Sequence, residues 1–160
     1  EVLVSPNHPN GVLAAERAAV LPDNEARVVP CTSQQAGLVA LVEHNPAEPI
    51  EVNARRLDQA LAGVRVGSVA AAARDDTKGR FVKGDAVGFV EEEIIAWGGA
   101  GSTLAATLAS LADGAEIVTV IGGAGAPIPL EELAGHAPPE VELELHEGGQ
   151  QHYWWLLAAQ

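Results

Sequence analysis

The sequence has little cysteine, methionine or aromatic residue, and each shortage excludes something. Its 160 residues include one cysteine, no methionine and 4% aromatic residues. A single cysteine, Cys31, excludes a disulfide within the chain and is typical of a reducing compartment, so we expect a cytoplasmic protein. The absence of methionine predicts that the sequence is a fragment of a longer protein. Because aromatics are scarce, the core must consist mainly of Ala, Val, Leu and Ile, and the 48% hydrophobic content is enough to form one.

Positive charge is also scarce, and it is unevenly placed. The chain has 9 Lys and Arg against 22 Asp and Glu. Residues 84–160 contain 12 acidic side chains and no base, whereas residues 55–83 contain 7 bases and 3 acids. Nonspecific nucleic-acid binding needs many cations, and an anionic membrane surface repels this chain. No apolar run reaches the roughly 20 residues of a membrane span, so we expect no membrane insertion.

Short apolar runs alternate with helical patterns along the chain, which predicts a single layered α/β domain with a largely parallel or mixed sheet. Helix caps are predicted at Asn10, Asn53 and Ser102. A further helix is predicted to begin at Ser33 or Gln34, and a loop is predicted at Asp23-Asn24. A β-hairpin is predicted over residues 85–97. Its turn, Glu91-Glu92, is unusual because neither residue is Gly or Asn, which tolerate positive φ. Strands are predicted at 2–4, 27–29, 64–73, 115–121, 141–146 and 153–158.

Motifs for catalysis or metal binding are weak. The glycine-rich segment 122–125 follows a strand, as a phosphate loop would, but it has no neighbouring Lys or Arg, so a structural turn is favoured. Residues 98–103 similarly favour an ordinary capped helix over an anion site. The histidine spacings include no HExxH motif and indicate no zinc site. For Cys31, a small buried residue at a strand end is favoured over a Cys–His nucleophile, which stays open.

Two places in the sequence carry more specific polar patterns. The first is a pair of loops, SPNHPN and PCTSQQAG, which each follow a predicted strand, and ligands of open α/β sheets gather at the carboxyl ends of strands. The second is the segment GGQQHY, which combines two glycines with polar side chains before the last strand. For both places, ordinary turn chemistry is the alternative. The candidate ligand-binding or partner-binding residues are Asn7, Asn10, Thr32, Ser33, Gln34, Gly149, Gln150 and Tyr153.

Four segments together resemble a known family: VLVSPNHPNGVLAAERAA, VVPCTSQQAGLVALVEHNP, AAARDDTKGRFVKGDAVGFVEEEIIA and VELELHEGGQQHYWWLLA. They are similar to the C-terminal region of the A-type subunit of bacterial fatty acid kinase, a family also described as dihydroxyacetone-kinase-like or DAK-phosphatase-like. The resemblance implies a DegV-related fold. It also implies that ATP and Mg bind a kinase domain absent from this chain, and that this region holds no cofactor and is not catalytic alone.

The same resemblance implies a partner, a DegV-like fatty-acid-binding protein that this region helps to dock. Within the basic window, Arg74, Lys78 and Arg80 are the predicted docking residues, and a merely solvated surface is the alternative. Two other functions stay open: a domain that binds a small acyl or phosphate ligand, and a structural module that forms a homodimer.

Overall fold

The structure, a computed structural model, describes residues 2–21 and 25–160. The loop predicted at Asp23-Asn24 therefore lies outside the described residues. The chain divides into two compact units, Glu1–Val64 and Arg65–Gln160, which are described separately below. The expectation of a single domain stays a prediction. In the part of the chain that the structure describes, no helix combines the length and the apolar character needed to cross a bilayer.

The first unit is a small parallel sheet with three helices. Strands β1 and β2 run parallel, with Val2 opposite Ala26 and Val4 opposite Val28. Its buried core is small: Val29, Ala54 and Leu57, with Leu3 and Leu61 packed against them. Helix α1 buries none of its side chains. The elements are β1 (Val2–Val4), α1 (Pro9–Ala19), β2 (Ala26–Val28), α2 (Gln34–Leu41) and α3 (Ile50–Gly63).

Two predicted helix caps in this unit, Asn10 and Asn53, are wrong: the observed caps are His8 and Pro49, two and four residues earlier. His8, not Asn10, caps α1, because the His8 Nδ1 accepts the Asn10 backbone N–H at 3.2 Å and Pro9 suits the first helical position. Asn53 lies inside α3 and is buried. Its side chain instead secures the preceding loop, accepting the Asn45 N–H and donating to the Asn45 carbonyl, both at 2.8 Å.

The second unit is a six-stranded mixed sheet with strand order β5-β4-β3-β8-β6-β7. The layered α/β fold with a mixed sheet and the hairpin over 85–97 are confirmed, but the largely parallel alternative is wrong. Only β6 and β7 pair in parallel in this sheet. Strands β3, β4 and β5 are successive antiparallel neighbours, joined by the loop of residues 72–85 and the turn Glu91-Glu92, and the last strand is antiparallel to both β3 and β6. The elements are β3 (Arg65–Ala71), β4 (Ala86–Val90), β5 (Glu93–Gly98), α4 (Ala100–Ala112), β6 (Ile117–Gly122), a 3-10 helix (Leu130–His136), β7 (Glu142–Glu147) and β8 (Trp155–Ala159).

Helix α4 supplies the core of the second unit. Its leucines recur at helical spacing and are fully buried: Leu104, Leu108 and Leu111. They belong to one cluster with inward-facing residues of the sheet, among them Val69, Val118, Val120, Trp155 and Leu157. The helix begins after Gly99, so the predicted Ser102 cap is wrong. The Ser102 hydroxyl instead donates to the Gly99 carbonyl at 3.0 Å.

The hairpin turn uses two glutamates with positive φ, 48° at Glu91 and 72° at Glu92. Left-handed backbone is unfavourable for glutamate, so other contacts must compensate. Glu91 supplies them: its N–H donates to the Val66 carbonyl at 3.0 Å, and its Oε1 accepts the Val66 N–H at 2.8 Å. The turn is therefore fastened to the adjacent strand β3 by one residue.

Candidate functional site

The loops that follow β1 and β2 meet, as their strand-end positions predict. Asn7 and Cys31 form an isolated parallel bridge, which brings the first loop beside the segment Cys31–Gln34. Asn7, Thr32 and Gln34 are exposed. Ser33 caps helix α2 without a side-chain cap hydrogen bond. The result is a neutral surface of amide and hydroxyl groups at the start of α2. Asn10 is also exposed, in the first turn of α1.

Cys31 lies under this surface, not on it. Its side chain is 3% exposed, and its thiol donates to the Ser33 carbonyl at 3.0 Å. Gly37 of α2 packs so closely that a Cβ there would lie 3.3 Å from the sulfur. Cys31 thus occupies the position of a small buried residue at a strand end, the favoured interpretation of the sequence.

The GGQQHY segment connects β7 to β8 and is hydrogen-bonded to the end of β6. The Gln150 Nε2 donates to the Ile121 carbonyl at 2.9 Å, and the Gln150 carbonyl accepts the Ala124 N–H at 2.9 Å. Gly149 has φ of 71°, which only glycine adopts easily. A Cβ on Gly123 would overlap the Tyr153 carbonyl oxygen. These contacts are the turn chemistry that the sequence left as the alternative for this motif, and Tyr153 remains 40% exposed.

The predicted docking residues lie on a loop between β3 and β4 that hydrogen bonds hold in one shape. At its base, the Ala72 N–H donates to the Asp85 carbonyl at 2.8 Å, and the Gly84 N–H donates to the Ala72 carbonyl at 2.9 Å. The Asp75 carboxylate accepts the Lys83 N–H at 2.8 Å across the loop. Because these hydrogen bonds connect the two halves of the loop, they fix the backbone from which its side chains project.

Arg80 is an internal part of this loop. Its Nε and Nη2 donate to the two carboxylate oxygens of Asp76 at 2.7 and 3.2 Å. This hydrogen bond lowers the pKa of Asp76 from 3.8 to about 2 and raises the pKa of Arg80. The guanidinium also lies over the rings of Phe81 and Trp97, at 5.7 and 5.5 Å from their centroids. Arg80 therefore serves the loop itself, whereas Arg74 and Lys78 are exposed.

Another base of the same window also has a structural role. The Arg65 guanidinium donates to the carbonyls of Ser110, Leu111 and Asp113 at 3.2, 3.4 and 3.2 Å. These carbonyls end helix α4, where cations are stabilised by the helix dipole. Arg65 is itself exposed, and the other exposed bases of the second unit are Arg74, Lys78 and Lys83.

Sequence reasoning missed Trp97. It is 44% exposed and contacts Arg80, although 17 positions separate them in the chain. The signal was available in the hairpin, since pairing about Glu91-Glu92 sets Trp97 opposite Val87, near the start of β4, where the basic loop ends. Across residues 2–21 and 25–160, no three His, Cys, Asp or Glu side chains are grouped to hold a metal ion.

Comparison with solved structures identifies the fold. A DegV family protein from Eubacterium eligens, loaded with heptadecanoic acid, matches 99% of this chain and 72% of its own, with a TM-score of 0.62 and 14% identity. A fatty-acid-binding DegV family protein from Thermus thermophilus matches 100% of this chain and 71% of its own, with a TM-score of 0.61 and 16% identity. The chain therefore has the DegV-like fold that the resemblance implied.

Sequence comparison identifies the family. An uncharacterized protein from Staphylococcus aureus strain MRSA252 is 33% identical over 167 residues, and one from the bovine strain RF122 is 32% identical over the same length. Each match covers 99% of this chain, and the chain spans only 30% of the length of these relatives. The family of FakA-like C-terminal domains, which takes its name from the A-type subunit of fatty acid kinase, matches residues 1–160. The chain therefore belongs to the FakA-like C-terminal family of fatty acid kinase subunits.

Proposed function

We propose that this chain is a non-catalytic docking domain of a fatty acid kinase subunit. It binds a DegV-like protein that carries the fatty acid, and phosphorylation of the fatty acid takes place in another domain of a longer protein, with ATP and Mg. Family membership and the DegV-like fold support this assignment of pathway. The relatives are more than three times as long as this chain, which leaves room for a kinase domain elsewhere in them.

The observation that carries the docking role is the fixed basic loop. Arg74, Lys78 and Lys83 project from a frame closed by the Asp75 and Asp76 hydrogen bonds. Residues 84–160 of the second unit have 12 acidic side chains and no base, and Arg65, before the loop, is bound to the end of α4. A partner with a negative surface therefore meets attraction at one place and repulsion elsewhere, which fixes orientation and speeds encounter.

A charge reversal tests this role in the full-length protein. We expect Arg74→Glu with Lys78→Glu to weaken binding of the acyl-loaded DegV-like protein about tenfold or more at low salt, because both charges lie on the surface. The loss should shrink as salt rises, since exposed charges are screened beyond about 10 Å at 0.1 M. Isothermal titration calorimetry at two salt concentrations measures both effects.

The matched control places the same charge change elsewhere. Arg27→Glu with Arg55→Glu alters two exposed bases of the first unit and shifts the net charge equally. We expect it to leave affinity within about twofold. Equal losses of affinity for both double variants would mean that the effect comes from net charge alone. An unchanged affinity for Arg74→Glu with Lys78→Glu would exclude the loop as the docking surface.

A second candidate function is fatty-acid binding by this chain itself. It is favoured by the fold it shares with the Eubacterium eligens protein, which was loaded with heptadecanoic acid. The neutral surface formed by Asn7, Thr32, Ser33 and Gln34 offers hydrogen-bond partners for a head group. Native mass spectrometry with excess heptadecanoic acid tests this candidate: a bound acyl chain supports it, and a protein free of ligand contradicts it. Light scattering on the same sample tests the third possibility, a homodimer.

A further inference from the structure

Two large apolar side chains are exposed at the basic loop: Val82 lies within the loop, and Trp97 lies beside it. Trp97 is 44% exposed and Val82 is 59% exposed. We propose that Trp97 anchors the docking surface, which comprises Arg74, Lys78, Val82, Lys83 and Trp97 and is called here the Trp97 surface. Its partner is an acidic surface with an apolar pocket that receives the indole. This inference deepens the proposed function and rests on it, because the partner is the acyl-carrying protein.

Trp97 is held in place before any partner arrives. Its ring centroid lies 5.5 Å from the Arg80 guanidinium, and Asp76 fixes that guanidinium through two hydrogen bonds. Stacking on one face restrains the indole while leaving nearly half of its surface open. A side chain that is already ordered loses little conformational entropy on binding, which is why tryptophan is enriched among the residues that dominate interfaces.

The position of Trp97 in the sheet leaves it accessible. It lies on β5, one of the two edge strands of the six-stranded sheet, which pairs only with β4 among the described residues. Trp97 contacts Arg80, which follows Lys78 in the loop and precedes Val82 and Lys83. Arg80 therefore joins Trp97 to a loop segment that carries exposed apolar and cationic side chains.

Charge selects this patch over the other exposed apolar side chains of the second unit. Ile117 is 37% exposed but follows Glu116 and pairs with Glu142, whereas Trp97 lies against Arg80, although both belong to the segment without bases. An acidic partner would be repelled from Ile117 and attracted to Trp97. Carboxylates around an apolar pocket are therefore the complementary chemistry.

Substitution at Trp97 in the full-length protein tests the inference, with the DegV-like protein loaded with heptadecanoic acid as the ligand. We expect Trp97→Ala to weaken binding about 30-fold, the loss typical of a buried interface anchor. Trp97→Phe should restore most of the affinity because it retains a ring over Arg80. Ile117→Ala removes a comparably exposed apolar side chain and should change affinity less than twofold.

The outcomes separate this inference from the proposed function. If the wild-type protein does not bind the acyl-loaded partner, docking itself is wrong. If the wild type binds and Trp97→Ala binds equally well, docking stands and the anchor is overturned. If Ile117→Ala weakens binding as much as Trp97→Ala, the effect is not specific to this surface and the anchor is again overturned.

A labelled variant gives a reading that does not depend on how Trp97→Ala folds. Val82→Cys introduces an exposed thiol that an environment-sensitive dye can reach, while Cys31 is 3% exposed and stays unlabelled in the folded protein. We expect the dye to shift to shorter wavelength when the partner is added, because the site becomes dry. An unchanged spectrum at saturating partner would place the interface elsewhere and overturn the inference.

Discussion

The carboxylate of Asp76 binds the guanidinium of Arg80 through both of its oxygens, at 2.7 and 3.2 Å, across a single turn of the loop between β3 and β4. The Asp76 carboxylate also accepts the Arg80 backbone N–H at 3.2 Å. One acidic side chain thus fixes both the course of the loop and the platform on which Trp97 rests. The loop's shape therefore depends on the ionisation of Asp76.

We expect the stability conferred by Asp76 to disappear in acid. Its pKa is about 2 in the folded protein against an ordinary 3.8, so the folded state binds this proton more weakly than the unfolded state. The contribution is complete above the ordinary pKa and is lost as the pH falls through 3.8 toward 2. The melting temperature of Asp76→Asn should lie below that of the wild type at neutral pH, and the gap should close in that range.

Arg80→Met is the control for this pH dependence. Without the guanidinium, the pKa of Asp76 should return toward 3.8, which NMR titration of its carboxyl carbon measures. A melting-temperature gap between wild type and Asp76→Asn that stays constant down to pH of about 2 would contradict the role assigned to this pair.

We expect Glu92→Gly to stabilise the protein. Glu92 has φ of 72°, a left-handed conformation that costs a side-chain-bearing residue about 1 kcal/mol. Glycine removes that strain, and after its larger unfolded-state entropy the net gain should be about 0.5 kcal/mol in the free energy of unfolding. Urea denaturation measures it. Glu91→Gly is the matched control: it also relieves positive φ but loses the carboxylate bond to the Val66 N–H, so it should destabilise.

We expect Arg65→Met to lower the free energy of unfolding by about 1–2 kcal/mol, because it leaves the last carbonyls of α4 without their charged donor. Urea denaturation again provides the measurement. Lys78→Met removes an exposed cation from the basic loop and should change stability by less than about 0.5 kcal/mol. Equal effects for the two variants would mean that Arg65 acts through net charge and not as a cap.

We expect Gly123→Ala to be strongly destabilising, by about 3 kcal/mol, because its Cβ would overlap the backbone of the last connection at Tyr153 and Gln150. Thermal unfolding followed by circular dichroism tests this. Gly135→Ala is the control, since a Cβ at Gly135 has no neighbour within 4 Å. Equal melting temperatures for Gly123→Ala and Gly135→Ala would contradict this prediction. They would mean that the backbone at Tyr153 and Gln150 can move away from the new Cβ without loss of stability.

Local signals in the sequence predicted much of this fold. The hairpin of β4 and β5 and the helix α4 follow from apolar periodicity over a few residues. The Asp76–Arg80 pair was not predicted, although it is a contact between residues four apart. Helix starts were less predictable because Asn10 and Asn53 are favoured capping residues, yet the surrounding loop decides which side chain binds which N–H: His8 caps α1, and Asn53 binds Asn45.

Contacts between distant residues explain what the sequence did not reveal. Gln150 binds the Ile121 carbonyl 29 residues away, so its role depends on how β6 and β8 come together. The mostly antiparallel pairing of the sheet also depends on distant residues, because β8 pairs antiparallel with both β3 and β6. Strand pairing brings Trp97 to the basic loop, whereas the amino-acid composition indicated only the charged residues of that loop.

The strand order has a consequence for biosynthesis. Strand β8 is the last element of this sequence, yet it occupies the middle of the sheet, where β3 and β6 both pair with it. During translation, β3 to β5 and β6 to β7 leave the ribosome before β8. Until β8 is available, β3 and β6 each have an unpaired edge. Such non-local pairing makes folding slow and exposes aggregation-prone edges in the meantime. We therefore expect the sheet of the second unit to be completed only after Trp155–Ala159 has left the exit tunnel.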